Sequence, residues 1–185
     1  VATEQKHLAE LNHLTRLGAN ATSTEAALAV GVTNLTVGGG AGNAHLTGSA
    51  GVDKLFGGDG NDTITGGKGN DVAFMGSGND TFVWNPGDGS DTIEGQAGND
   101  TMLFNGSNVA EQINVSANGQ RVLFTRDVGN IPMDLSGAEG VNFNALGGAD
   151  TDNVNDMLGT DLTQADHARA SQPGTGTGHA PERIR

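Results

Sequence analysis

An apolar side chain returns every nine residues through the middle of the chain, and the positions between are mainly glycine and polar residues. Seven nine-residue units align, at 39–47, 48–56, 57–65, 66–74, 75–83, 86–94 and 95–103. The apolar residue is eighth in each unit: Leu46, Leu55, Ile64, Ala73, Phe82, Ile93 and Met102. A short strand around this residue would turn its side chain inward and its neighbours outward. A period this short and regular predicts a solenoid rather than an ordinary globular core.

The first part of each unit is a glycine-rich loop that ends in an acidic residue. Glycine dominates the first and fourth positions, where a tight turn with positive φ carries no Cβ penalty. Aspartate is the sixth residue of six units: Asp53, Asp62, Asp71, Asp80, Asp91 and Asp100. In the first unit Ala44 stands in its place. Nearly every loop of the solenoid is therefore predicted to carry a carboxylate.

Two units, each a loop and a strand, make one coil of 18 residues, and successive coils are expected to stack about 4.8 Å apart. This arrangement places Asp53 over Asp71 and Asp62 over Asp80. Two carboxylates about 5 Å apart repel by roughly 3 kcal/mol at an effective dielectric constant of about 20, so a column of them needs a cation. Carboxylates with loop carbonyls form the flexible oxygen set that calcium prefers, whereas magnesium demands a strict octahedron.

The units resemble the GGxGxDxUx nonapeptide of RTX (hemolysin-type) calcium-binding repeats. The resemblance covers residues 39–103 and implies an all-β fold, a parallel β-roll or β-solenoid, with Ca²⁺ bound between the loops of successive coils. It implies carboxylate ligands at Asp53, Asp62, Asp71, Asp80, Asp91 and Asp100. It implies carbonyl ligands at loop residues such as Gly57, Gly58, Gly60, Gly66, Gly67, Gly69, Gly76 and Gly78.

Two departures from the repeat bear on these sites. Ala44 removes a carboxylate, so a site that pairs position 44 with Asp62 is expected to be weak or absent. The inserted dipeptide Trp84-Asn85 moves the paired carboxylates of the 71/91 and 80/100 sites two positions further apart along the chain. These two sites are expected to need a bulge. The inserted tryptophan is expected to cover the end or edge of the roll; a stacking platform for sugar is the alternative.

Charge and composition agree with cation binding. Of the 185 residues, 22 are acidic and 9 are basic, and the formal net charge is −13. Such acidity argues against nucleic acid and anionic membranes as partners. Because the chain is glycine-rich and only 4% aromatic, we expect it to fold only as calcium binds. It has no cysteine for disulfides and no apolar run of membrane-spanning length, which predicts no membrane insertion.

The remaining segments divide the chain into four predicted regions. They are a helical N-terminal cap or remnant of an upstream domain at 1–37, the β-roll at 38–104, an irregular β-rich extension with degenerate coils at 105–165 and a disordered segment at 166–185. Leucine spacing predicts an amphipathic helix at 4–17, and Ser23 or Thr24 as a helix cap predicts a second, short helix at 23–29 within the first region.

Within the extension, alternating apolar residues predict strands at 112–116, 121–125, 131–135 and 141–144. The turn sequence Ala117–Gln120 predicts that the first two form a hairpin. Residues 147–154 echo the nonapeptide, with Asp152 as a weak ligand at the sixth position.

None of the five histidines lies in a metal-ligand or catalytic motif, and the chain has no GxSxG elbow and no P-loop, so we expect no enzymatic activity. The favoured interpretation is a calcium-binding β-roll module of a secreted, extracellular bacterial protein that leaves the cell by type I secretion and folds on binding extracellular Ca²⁺. The alternative is the C-terminal accessory or secretion module of a secreted RTX enzyme (protease, lipase or mannuronan epimerase) or of a cytolysin. Calcium ions are the expected partners, with cell-surface polysaccharide or an upstream domain of the same polypeptide as further candidates.

Overall fold

Two β-sheets face each other across a thin core and form the solenoid that the sequence period predicts. The architecture is that of a computed structural model, described for residues 15–16, 34–169 and 182–183. These described residues contain no α-helix, and hence none long and apolar enough to cross a membrane. The predicted helices at 4–17 and 23–29 lie outside them, apart from Thr15 and Arg16.

The strands of the described residues, in chain order, are β1 (Thr15–Arg16), β2 (Thr36–Ala41), β3 (His45–Thr47), β4 (Lys54–Asp59), β5 (Thr63–Thr65), β6 (Val72–Gly78), β7 (Thr81–Trp84), β8 (Thr92–Gly98), β9 (Thr101–Asn105), β10 (Gln112–Asn118), β11 (Arg121–Arg126), β12 (Ile131–Ser136), β13 (Gly140–Ala145), β14 (Thr151–Val154), β15 (Gln164–Arg169) and β16 (Glu182–Arg183). The first sheet has the order β1-β2-β4-β6-β8-β12-β11-β10-β14, and the second has the order β16-β15-β13-β9-β7-β5-β3. Through the repeats the chain therefore alternates between the two sheets, one strand in each.

Successive coils pair in parallel with the predicted period of two units. Lys54 of β4 pairs with Val72 of β6, and Thr63 of β5 pairs with Thr81 of β7. Because side chains alternate between the two faces of a strand, the eighth residue of every unit points into the core and is 0–1% exposed. The prediction of a parallel β-solenoid is confirmed.

The two-residue insertion after position 83 is absorbed in a loop. Beyond it Val72 pairs with Thr92, so this coil is longer than the others by the inserted dipeptide while the parallel pairing continues unbroken. The extra length lies in a turn between β7 and β8, in which the Asp88 N–H donates to the Asn85 carbonyl at 2.9 Å. The prediction that this spacing needs a bulge is wrong, because a surface loop takes up extra residues without breaking a strand ladder.

Trp84 lies in the core, so the prediction that it covers an end or edge of the roll is wrong. Its side chain is fully buried and stacks on Phe104, with ring centroids 4.0 Å apart and ring planes at 3°. The indole N–H donates to the Gly89 carbonyl at 2.8 Å, which ties the insertion turn to the core. Full burial of the ring rules out the sugar-stacking alternative.

After β9 the chain departs from the simple coil. β10 and β11 form the predicted hairpin, with Asn118 paired to Arg121 around a two-residue turn. β11 and β12 are antiparallel as well, and β12 returns to pair in parallel with β8. In the first sheet β10 therefore lies three strands beyond β8, whereas in the second sheet β13 lies directly beside β9. The predicted strands at 131–135 and 141–144 are confirmed as β12 and β13.

Short segments from both flanks pair with the sheets where the structure describes them. Thr15 and Arg16 form a strand parallel to β2 and are not helical. The segment predicted to be disordered from residue 166 begins within β15, which pairs with β13, and residues 182–183 pair with β15 in turn. In each case the open edge of a sheet offers backbone hydrogen bonds that a polar segment can use regardless of its side chains.

Candidate metal centre

The sixth-position aspartates form two ladders, one at each side of the roll where the chain passes from sheet to sheet. One ladder holds Asp53, Asp71 and Asp91, and the other holds Asp62, Asp80 and Asp100. Within each ladder the backbone N–H of one aspartate donates to the Oδ1 of the aspartate one coil further on, at 2.7–2.9 Å. The predicted stacking of Asp53 over Asp71 and of Asp62 over Asp80 is confirmed.

In most of these carboxylates only one oxygen is hydrogen-bonded. All six aspartates are 0–2% exposed. Among the described residues, Oδ2 has no hydrogen-bond partner in five of them: Asp62, Asp71, Asp80, Asp91 and Asp100. Asp53 differs, because its Oδ2 accepts from the Ser49 N–H and its Oδ1 accepts from the Ser49 hydroxyl at 2.9 Å. Burial of a carboxylate oxygen without a partner is costly, so the five unpaired Oδ2 atoms are suited to a cation.

The first residue of a unit brings a carboxylate oxygen and a carbonyl oxygen together. A Cβ atom at Gly57 would overlap both the Asp62 Oδ2 of the same unit and the Met75 carbonyl oxygen of the next coil. Only glycine leaves room at this position for the two oxygens. The Met75 carbonyl was not among the predicted ligands, because its unit begins with methionine instead of glycine.

Most of the predicted glycine carbonyls lie close to glycines of a neighbouring coil. A Cβ atom at Gly39 or Gly48 would overlap the carbonyl oxygen of Gly57 or Gly66, respectively, each at the first position of a unit one coil further on. A Cβ atom at the glycine one coil further on would overlap the carbonyl oxygens of Gly58, Gly60, Gly69 and Gly78 in the same way. Gly67 and Gly76 have φ values of +89° and +112°. Carbonyl oxygens of neighbouring coils therefore face the same narrow gaps between the loops.

Backbone carbonyls are the main ligands that these gaps can offer. No three aspartate, glutamate, histidine or cysteine side chains converge anywhere in residues 34–169 as the structure describes them. A cation between two loops would therefore combine a ladder carboxylate with several carbonyls. Six to eight oxygen ligands in a flexible arrangement are what Ca²⁺ takes in proteins.

Burial raises the pKa of the ladder carboxyls. The pKa of Asp71 rises to about 8 and that of Asp91 to about 7, in both cases mainly through desolvation. Desolvation also raises the pKa values of Asp80 and Asp100 to about 6, and it raises the pKa of Asp62. The backbone N–H bond to each carboxylate opposes this rise, and neighbouring carboxylates add to it. Without a cation, the fold therefore disfavours the ionised form of these groups.

Lowering the pH is expected to stabilise the metal-free fold. Because the pKa of these carboxyls lies above the ordinary value of 3.8, the folded chain binds more protons than the unfolded chain between about pH 4 and pH 8. Stability is gained as the pH falls through this window and lost as it rises. We expect more β-structure by far-UV circular dichroism in EDTA at pH 5.5 than at pH 8.5.

With calcium the pH dependence is expected to reverse. A cation needs ionised ligands, so the calcium concentration at the folding midpoint should be lower at pH 8.5 than at pH 5.5. Equal β-structure in EDTA at the two pH values, together with equal calcium midpoints, would contradict the burial of unpaired carboxyls in the ladders.

Two acidic residues with the same place in a coil were not predicted from the sequence: Glu139, whose Oε2 accepts from the Asp100 N–H at 2.7 Å, and Glu111. Residues 106–114 are a further, degenerate unit, with Gly106 first, Glu111 sixth and Ile113 eighth. Glu111 is 1% exposed, and its backbone N–H donates to the Asp150 Oδ1 at 3.0 Å, as in the aspartate ladders. The sequence signal for this unit is a glycine at its first position and an apolar residue, Ile113, two positions after the acidic Glu111.

The strand register corrects the predicted ligand in the last coil. Ile113 of β10 pairs with Asp152 of β14, so Asp152 takes the eighth position and not the sixth. Asp150 takes the sixth position instead. The prediction failed because the degenerate segment fits the nonapeptide in two registers, and only pairing with β10 decides between them.

Comparison with known families agrees with this geometry. The model of the RTX calcium-binding nonapeptide repeat, four copies long, matches residues 38–73, 47–82 and 87–108. These stretches include all six ladder aspartates, and the family is one of calcium-binding repeats, not of catalytic domains. A comparison with curated proteins and one with solved structures found no significant match.

Proposed function

Since this chain carries RTX calcium-binding nonapeptide repeats at residues 38–73, 47–82 and 87–108, we propose that it is the calcium-binding β-roll module of a secreted bacterial protein. Its coils fold when they bind extracellular Ca²⁺. The six ladder aspartates and the loop carbonyls of adjacent coils hold the ions, and calcium supplies the positive charge that the buried carboxylates otherwise lack.

The observation that carries this proposal is the set of five buried Oδ2 atoms without hydrogen-bond partners. They recur coil after coil, and each belongs to an aspartate that is at most 2% exposed. A native structure rarely leaves buried polar atoms unsatisfied, and a repeated set of them points to a ligand that these five loops share. An oxygen-only, carbonyl-rich environment favours Ca²⁺ over transition metals, which prefer nitrogen or sulfur.

The dependence of folding on calcium supports the proposal that the protein is secreted. A chain of net charge −13 with ionisable groups at the centre of its loops has little to hold it folded where calcium is scarce. Extracellular calcium modules bind with dissociation constants of about 10⁻⁴–10⁻³ M, close to the calcium level outside cells. The proposed module therefore stays unfolded inside the cell and folds once it is exported.

The test is a calcium titration of the full chain, starting in EDTA and followed by far-UV circular dichroism and Trp84 fluorescence. We expect a cooperative transition from coil to β-structure with Ca²⁺, together with burial of the single tryptophan against Phe104. Magnesium at the same concentrations is the control and should leave the chain unfolded. A β-rich spectrum in EDTA that calcium does not change, or an equal response to magnesium, would overturn the proposal.

A further inference from the structure

Glu111 and Arg126 form a buried ion pair beside the core. They are 1% and 6% exposed. The Arg126 Nε–H donates to Glu111 Oε1 at 2.6 Å, and the Arg126 Nη2 contacts the same oxygen. Nη2 also donates to the Ser107 Oγ at 3.0 Å. The guanidinium carbon lies 5.3 Å from the centre of the Trp84 ring, so the positive group is enclosed by a carboxylate, a hydroxyl and an aromatic face.

The Glu111 carboxylate lies where the carboxylates of the calcium repeats lie. A Cβ at Gly106, five residues earlier, would overlap Glu111 Oε2, just as a Cβ at Gly48 would lie 2.6 Å from Asp53 Oδ2. The loop contacts match as well. The Ser107 N–H donates to Oε2 and its hydroxyl to Oε1, both at 2.9 Å, in the pattern that Ser49 makes with Asp53.

The loops of the ladder aspartates and the loop of Glu111 differ in what balances the negative charge of the buried carboxylate. Asp62, Asp71 and the other three aspartates with unpaired Oδ2 atoms have no cationic side chain against them among the hydrogen bonds and ion pairs of the described residues. Glu111 has both oxygens hydrogen-bonded and a guanidinium in direct contact. Arg126 comes from the end of β11, the strand that the fold inserts between the repeat coils and the coil of Glu111.

We propose that the Arg126 guanidinium takes the place of a calcium ion at Glu111, so that this loop is closed by a built-in cation and binds no metal. Glu111 is thus a latent divalent-cation site that opens when Arg126 is removed. The inference rests on the proposed function, because it assumes that the ladder aspartates bind calcium. A guanidinium suits the role, since it stays charged at every relevant pH and matches a carboxylate in geometry.

The test counts bound calcium ions in the full chain by native mass spectrometry at saturating Ca²⁺, with thermal unfolding as a second readout. Three variants are compared with the original chain: Arg126→Met, Glu111→Gln and the double variant Glu111→Gln/Arg126→Met. Methionine keeps a long apolar stem and removes the charge. We expect Arg126→Met to bind one more calcium ion than the original chain, and its melting temperature to rise more steeply with added calcium. We expect Glu111→Gln and the double variant to keep the original count.

Each variant can overturn the inference by itself. A loss of one calcium ion in Glu111→Gln or in the double variant would show that Glu111 already binds metal. An unchanged count in folded Arg126→Met would show that the loop holds no latent site. If Arg126→Met does not fold, the counts of the other two variants still decide whether Arg126 or calcium balances Glu111. An original chain that binds no calcium would refute the proposed function instead, which keeps the two failures distinct.

Discussion

Replacing Gly69 by alanine is expected to destabilise the calcium-loaded roll by about 2–5 kcal/mol, the sum of a conformational and a steric penalty. Gly69 has a φ of +117°, and a left-handed backbone costs an alanine about 1–2 kcal/mol. The new Cβ would also overlap the Gly51 carbonyl oxygen of the preceding coil. The new Cβ is fixed to the backbone of one coil and the carbonyl oxygen belongs to the backbone of the other, so the clash can be relieved only if the two coils separate. Overpacking of this kind typically costs about 1–3 kcal/mol.

Gly87→Ala is the matched control for this prediction. Gly87 has a similar φ of +104°, but a Cβ there would have no atom within 4 Å because the residue lies in the insertion turn. We expect the conformational penalty alone, about 1–2 kcal/mol. Both variants should be unfolded by urea at one saturating calcium concentration. Equal losses of unfolding free energy would mean that the loops are not stacked as closely as the structure describes.

Replacing Asp71 by asparagine removes the charge but keeps the hydrogen-bond acceptor, and it is expected to weaken calcium binding while it helps the metal-free chain to fold. Its Oδ1 accepts from the Asp53 N–H, and its own N–H donates to Asp91, so it lies in the middle of a ladder. Asp71→Asn keeps the acceptor and loses the charge. We expect the calcium midpoint to rise about tenfold or more, in line with the loss of a charged interaction of about 1.5–3 kcal/mol.

In EDTA the same substitution is expected to help folding. At pH 9, above the Asp71 pKa of about 8, the folded chain must hold this carboxylate ionised and buried, and asparagine removes that cost. The concentration of trimethylamine N-oxide that folds the metal-free chain, followed by circular dichroism, should therefore fall for Asp71→Asn. It should rise for Asp71→Ala, which leaves the buried Asp53 N–H without its acceptor.

Asp59→Ala is the control for both Asp71 variants. Asp59 lies in the neighbouring loop, but it is exposed and its Oδ1 accepts from the Ser77 hydroxyl at 2.7 Å. A calcium midpoint within about twofold of the original is expected, because exposed charges contribute little. If Asp59→Ala and Asp71→Asn moved the calcium midpoint equally, the assignment of the ladder aspartates as ligands would be wrong.

The periodic part of the fold follows directly from the sequence. The apolar residue at every ninth position determines which side chains point inward, and a coil of two units is enough to predict that Asp53 lies over Asp71. The hairpin of β10 and β11 was predictable for a similar reason, because its turn sequence is local. What these features share is that each is decided by residues that are near in sequence or repeated at a fixed spacing.

The parts that sequence could not predict depend on pairing between distant segments. Nothing near Trp84 indicates that it will be stacked by Phe104 and covered by Arg126. The choice between Asp150 and Asp152 depends on pairing with β10, which lies far earlier in the chain. The role of Glu111 is not predictable from the repeat, because its unit keeps only the first, sixth and eighth positions and Arg126, which balances its charge, comes from a strand outside the repeat.

From β8 to β10 the first sheet advances by three strands, whereas from β9 to β13 the second sheet advances by one. This three-strand step limits which insertions and deletions the chain can tolerate. At about 4.8 Å per strand, the first sheet advances roughly 10 Å further than the second at this point. The repeat units use short loops, whereas residues 155–163 are needed to connect β14 to β15 beyond the step. Tandem duplications or deletions are therefore compatible with the fold only before the step, within residues 39–103. They must add or remove whole coils of two units. Adding or removing a single unit would move every later strand to the opposite sheet, so that β12 could no longer pair with β8.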